Sequence, residues 1–137
     1  MIDHAGGCHC GAVRLSFRTA RPPSDWPLRV CTCTFCRRFG GTYTSDPAGS
    51  IVLTASRELR TYRFGQRTAD FLFCPECGVY FGAAADLPGG RRAVLHVRVL
   101  DGLALDLTRA QPMDFDAESE AVRNERRLRY WTPLSAG

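Results

Sequence analysis

Apolar residues alternate with polar ones at Val13, Leu15 and Phe17 and again at Leu95, Val97 and Val99, the two-residue period of strands buried on one face. Ile51 to Thr54, Leu59 to Phe64 and Leu103 to Leu107 are further strand candidates. Between these runs lie the breakers Arg21-Pro22-Pro23-Ser24, Asp46-Pro47-Ala48-Gly49 and Leu87-Pro88-Gly89-Gly90, so the pattern predicts a mainly β protein with little helix. Asp101-Gly102 reads as the turn of a hairpin. On the same alternation His96 shares a face with Arg98, which predicts an exposed histidine rather than a catalytic base.

Helical composition is confined to about Asp116 to Tyr130, with Asp116 as cap and Glu118 and Glu120 in the first turn. Ala117, Ala121 and Val122 would form one apolar face that Leu128, Tyr130 and Trp131 do not continue, so an early helix and an irregular tail are expected. The 137 residues suit a single domain covering 1–137, with no internal repeat. No stretch approaches the roughly 18 apolar residues of a membrane span, and Met1 to Gly7 lacks the basic head and apolar core of a signal sequence. A cytoplasmic location with no membrane partner is expected.

That compartment decides how the seven cysteines are read, because reducing conditions keep thiols free and an odd number cannot pair completely. They fall into three groups: Cys8-His9-Cys10, Cys31-Thr32-Cys33-Thr34-Phe35-Cys36 and Cys74-Pro75-Glu76-Cys77-Gly78. In extended chain, residues i and i+2 project to one side, so Cys8 and Cys10 can reach one ion while His9 points away. Around Cys74 and Cys77, Pro75 presets a dihedral and Gly78 can take a positive φ, which makes a zinc knuckle. Two partitions fit these spacings. Cys8, Cys10, Cys74 and Cys77 can close a four-sulfur structural site, worth on the order of 10 kcal/mol of coupled folding and binding. Cys31, Cys33 and Cys36 would then hold a zinc with an open, catalytic position. Alternatively Cys33, Cys36, Cys74 and Cys77 form a two-knuckle ribbon and leave three cysteines over.

All 18 basic residues are arginine, and the formal net charge is +4. Seven thiolates holding two Zn²⁺ ions would reduce that to about +1, so a nucleic-acid partner is not indicated. Arg37 and Arg38 directly follow Cys36 and are candidates for binding a substrate carboxylate, and Gly41 lets backbone approach a ligand. Phe35 could wall a pocket, but Phe35, Phe39, Phe71, Phe73, Tyr80 and Phe81 read together as core around the metals. Trp26 and Trp131 receive no role.

Gly7-Cys8-His9-Cys10-Gly11-Ala12-Val13-Arg14, Cys31-x-Cys33-x-x-Cys36-Arg37-Arg38 and Phe73-Cys74-x-x-Cys77-Gly78 together resemble the glutathione-dependent formaldehyde-activating enzyme and centromere protein V family. The resemblance spans roughly Gly7 to Leu107 and includes all seven cysteines. It implies an Mss4-like fold of several antiparallel sheets with a zinc-ribbon-type site. It also implies the four-and-three partition, with Cys8, Cys10, Cys74 and Cys77 structural and a second, more labile zinc at Cys31, Cys33 and Cys36. The activity it implies is a carbon–sulfur lyase that joins formaldehyde to glutathione as S-hydroxymethylglutathione. A non-catalytic zinc module that binds a partner through the same fold is the alternative expectation.

Overall fold

The computed structural model describes residues 1–137, with the chain mainly in strands. Strand β1 (Ile2–Gly7) pairs antiparallel with β2 (Val13–Thr19). Strand β3 (Arg29–Cys31) leads into the short helix α1 (Thr34–Phe39), followed by β4 (Tyr43–Thr44), β5 (Ser50–Ala55) and β6 (Arg60–Tyr62). Next come β7 (Asp70–Phe73), β8 (Tyr80–Leu87), β9 (Gly90–His96), β10 (Gln111–Met113), helix α2 (Glu120–Tyr130) and β11 (Thr132–Ala136). The strands form one connected, mixed network in the order β1-β2-β5-β11-β9-β4-β3-β10, with β6, β7 and β8 continuing from the other edge of β9. Two pairings, β5 with β11 and β3 with β10, are parallel.

Strand β9 is the seam of this network. One edge pairs with β8 along its length, while the other is shared end to end by β11, at Arg92 and Ala93, and by β4, at Leu95 and His96. The alternating residues of β2 face inward, with Val13, Leu15 and Phe17 all buried, and Phe17 meets Trp26 edge-on at 5.2 Å. Trp26 is thus a core residue, its indole N–H satisfied by the Arg21 carbonyl at 3.0 Å.

Several expectations are corrected. The Leu95-Val97-Val99 alternation ends as a strand at His96, because Val97 N–H turns to the Thr42 carbonyl and Leu100 N–H closes back onto Val97 in a 3₁₀ turn. His96 is consequently buried beneath Tyr43 and Tyr80, not exposed. Leu103 to Leu107 is not a strand, and Asp101-Gly102 is not a strand-to-strand hairpin. Instead Asp101 N–H bonds the Ala5 carbonyl and the chain then packs Leu103, Leu105 and Leu107 irregularly onto the core. The helix starts late and runs to Tyr130, capped by Ser119 through Val122 N–H at 3.2 Å rather than by Asp116. The tail after it is strand β11. Phe39 is exposed, not core.

Opposite the step from Leu72 to Phe73, β8 carries a bulge that accommodates Phe81. Tyr80 and Phe81 thereby enter two different buried clusters, Tyr80 beside Cys36 and Phe81 in the main core. Gly82 makes this possible with φ +129°, and a Cβ there would overlap the Val94 carbonyl oxygen. Gly82→Ala is expected to cost about 3 kcal/mol or more in denaturant unfolding. Gly89→Ala, with φ +88° but open space around it, is expected to cost only about 1–2 kcal/mol.

Candidate metal centre and adjoining cleft

Two hairpin loops supply the first cluster. The β1–β2 loop is closed by Cys8 N–H to the Val13 carbonyl at 3.0 Å, and the β7–β8 loop by Cys74 N–H to the Val79 carbonyl at 2.9 Å. In each, a glycine follows the second cysteine with a positive φ, Gly11 at +85° and Gly78 at +79°. Backbone N–H groups point at the sulfurs: Val13 to Cys8 Sγ at 3.3 Å, and Glu76 and Cys77 to Cys74 Sγ at 3.4 Å each. Cys8 and Cys74 are buried and Cys10 and Cys77 exposed.

The four sulfurs lie within 4.8 Å of one another, with Cys8 to Cys10 at 3.6 Å and Cys10 to Cys74 at 3.7 Å. A tetrahedral zinc with Zn–S bonds of about 2.3 Å has sulfur–sulfur edges of about 3.8 Å, so the donor set fits that ion. The Val79 backbone N–H holds the Cys77 thiol down to about 6, which supplies a thiolate at neutral pH. His9 belongs to neither cluster.

Cys31, Cys33 and Cys36 form the second cluster, again with sulfurs within 4.8 Å of one another. The thiols therefore group as four and three, and the two-knuckle ribbon that spacing also permits is not formed. Cys31 ends β3, Cys33 caps α1 by accepting Cys36 N–H at 3.3 Å, and Cys36 lies buried one turn later. Gly40, at φ +68°, terminates the helix. A hydrogen bond from the Cys36 thiol holds Cys31 down to about 6, while the same contact and burial push Cys36 up. This cluster also has a ready thiolate and an acceptable soft donor set for zinc.

The second cluster opens on a cleft of about 140 Å³ whose lining includes Cys31, Cys33, Cys36, Tyr43, Phe71 and Tyr80. The four-cysteine cluster does not line it. Cys36 Sγ lies 3.3 Å from the Tyr43 hydroxyl, which lies 2.9 Å from the Tyr80 hydroxyl. Burial pushes both phenols up, so each remains protonated at neutral pH. The His96 Nδ1 lies 3.3 Å from the Tyr80 carbonyl, and burial pushes this imidazole down, toward its neutral form.

Of the sequence-predicted ligand contacts, Arg37 and Arg38 are exposed on α1 and do not line the cleft; Arg38 Nη1 donates to the Thr34 carbonyl at 3.0 Å. Gly41 is buried, and a Cβ there would stand 2.8 Å from the Tyr43 hydroxyl. Phe35 packs against Phe71 at 4.7 Å and Tyr80 at 5.5 Å, bracing the wall from behind without lining it. Sequence reasoning missed Tyr43, and it missed the far wall made by Arg29, Met113, Phe115, Arg127 and Trp131. Only the arginine density after Arg123 marks that wall in the sequence.

The chain is thus a mainly β protein with a four-thiol cluster and a three-thiol cluster that are suited to metal ions, the second facing a cleft. The glutathione-dependent formaldehyde-activating enzyme family matches residues 3–113, and the chain belongs to that family. It is also similar to a crystal structure of a Rhodobacter sphaeroides protein, with a TM-score of 0.64 and 30% identity, covering 80% of this chain and 99% of that one. No helix is long and apolar enough to cross a membrane.

With excess Zn²⁺ the wild type is expected to take up two ions and Cys36→Ser one, with its circular dichroism spectrum retained. Cys77→Ser is expected to lose several kcal/mol of stability, since it opens the site that ties two hairpins together. Metal analysis and denaturant unfolding on the three proteins check this.

Proposed function

We propose that the chain is a zinc-dependent carbon–sulfur lyase acting on thiol–aldehyde adducts, of which the glutathione–formaldehyde adduct is the model. Cys31, Cys33 and Cys36 are its reacting site, and Cys8, Cys10, Cys74 and Cys77 hold a structural zinc. The observation that carries this reading is the placement of the three-sulfur cluster, and not the four-sulfur one, on an apolar-walled cleft. The family name supplies the substrates, and the free thiols suit a reducing, cytoplasmic setting.

Cys31, Cys33 and Cys36 would hold the zinc, which when bound would supply a substrate thiolate at neutral pH. In the forward direction the substrate S–H bond breaks, a C–S bond forms to the aldehyde carbon, and the thiol proton ends on the aldehyde oxygen. Tyr43 is placed to hold Cys36 in one geometry, since its hydroxyl spans Cys36 Sγ and the Tyr80 hydroxyl. Gly41 leaves that hydroxyl room, because any side chain there would press on it. Phe71 and Tyr80 exclude water, which would otherwise compete with the thiol for the aldehyde. Holding the two reactants together in the cleft supplies the acceleration. Arg37 and Arg38 add a positive field beside α1 that draws in an anionic thiol.

With glutathione and formaldehyde, exchange spectroscopy on the hydroxymethyl protons is expected to show faster adduct exchange in the presence of zinc-loaded protein. Cys36→Ser is expected to remove the acceleration. Tyr43→Phe is expected to reduce it about tenfold, the value of one hydrogen bond of about 1–1.5 kcal/mol. No acceleration over buffer by the wild type would sink the proposal.

A further inference from the structure

The cleft that the three sulfurs line is also lined by four arginines, Arg29, Arg123, Arg126 and Arg127. Two of them have an anionic partner. Glu118 receives Arg126 through both carboxylate oxygens at 2.9 Å, and Arg123 Nε lies 3.5 Å from the same group. Arg29 and Arg127 make no ion pair. Arg127 is only 7% exposed; its Nη1 donates to the Thr68 hydroxyl at 2.8 Å and to Asn124 Oδ1 at 3.3 Å, and its buried Nε has no partner. Arg29 donates Nη2 to the Ser45 hydroxyl, and its Nε is likewise buried without a partner. Asp116, the one carboxylate lining the cleft, pairs with neither.

A buried cation without a counter-charge is costly unless an anion is brought beside its guanidinium. Burial first, then repulsion from Arg126 and Arg123, holds the Arg127 guanidinium down to about 10, which marks a cation short of negative charge. A guanidinium edge is shaped for a carboxylate, and apolar walls strengthen such a pair. Arg127 stands on α2, outside the family-matched residues 3–113, so part of this cleft is built by a segment that the family match does not cover.

We propose that Arg29 and Arg127 form an anion subsite that receives a carboxylate of the thiol substrate while its sulfur occupies the cluster of Cys31, Cys33 and Cys36. The inference rests on the reading of that cluster as the reacting site. It restricts the substrate class to thiols carrying a free carboxylate, and the small cleft makes compact thiols the right probes.

The test titrates zinc-loaded protein, without aldehyde, with 3-mercaptopropionate and with 2-mercaptoethanol, which differ in bearing a carboxylate or a hydroxyl. Calorimetry gives the affinities, and ¹⁵N spectra follow the arginine Nε–H signals. The carboxylate thiol is expected to bind at least tenfold more tightly, to shift the Arg29 and Arg127 signals, and to lose its advantage in Arg127→Gln. Equal affinities, no binding of either thiol, or tighter binding that leaves both signals unmoved overturns the subsite. Because Arg127 also ties α2 to Thr68, the wild-type signals decide the matter if Arg127→Gln does not fold. Discrimination between the thiols without turnover would overturn the proposed reaction alone, and turnover without discrimination would overturn the subsite alone.

Discussion

Four sulfurs held 3.6–3.7 Å apart at their closest, from loops 64 residues apart, are the constraint around which the fold is arranged. Sulfurs at that spacing touch, and as thiolates they would repel, so the donor set suits a compact divalent cation among them. The two loops solve the problem in the same way, each with one closing backbone bond and one glycine in the left-handed region. Once they are joined, β2 and β8 have fixed relative positions, and the core packs between them.

Much of this was legible in the sequence because thiol spacing is a local property. The i, i+2 and i, i+3 separations, the glycine after Cys77, and the alternation in β2 are set by a few neighbouring residues. What escaped was set at a distance. His96 is buried because Tyr43 and Tyr80 arrive over it, and no pattern within Leu95 to Val99 contains that information. Leu103, Leu105 and Leu107 have strand-like spacing but pack irregularly onto the core instead of pairing with a strand. Helix α2 was misplaced because its buried residue is Arg127, whose stem and guanidinium pack on Trp131, and an arginine does not register as core in an apolar count.

The cleft shows the same division. Its sulfur wall comes from six consecutive residues, which spacing allowed and the family resemblance singled out, whereas its opposite wall combines β3, β10 and α2 with the turn before it. Charge accumulates on the distant wall because Glu118 answers only two of the four arginines. The site thus joins a metal-type donor set with an electropositive apolar lining, two features that no single stretch of chain carries.

Strand β11 gives the architecture a direction in time. The β1-β2-β5 sheet and the β9-centred sheet are adjacent in the ladder only through β11, which lies parallel to β5 and antiparallel to β9. During synthesis the halves can collapse separately, but their shared ladder waits for the last strand to emerge. Contacts of that sequence separation close slowly, and both waiting edges remain open to wrong partners until they do. Early metal capture at the four-sulfur cluster, which needs nothing beyond Cys77, would shorten the loop that β11 must still close and so guard the chain while it is incomplete.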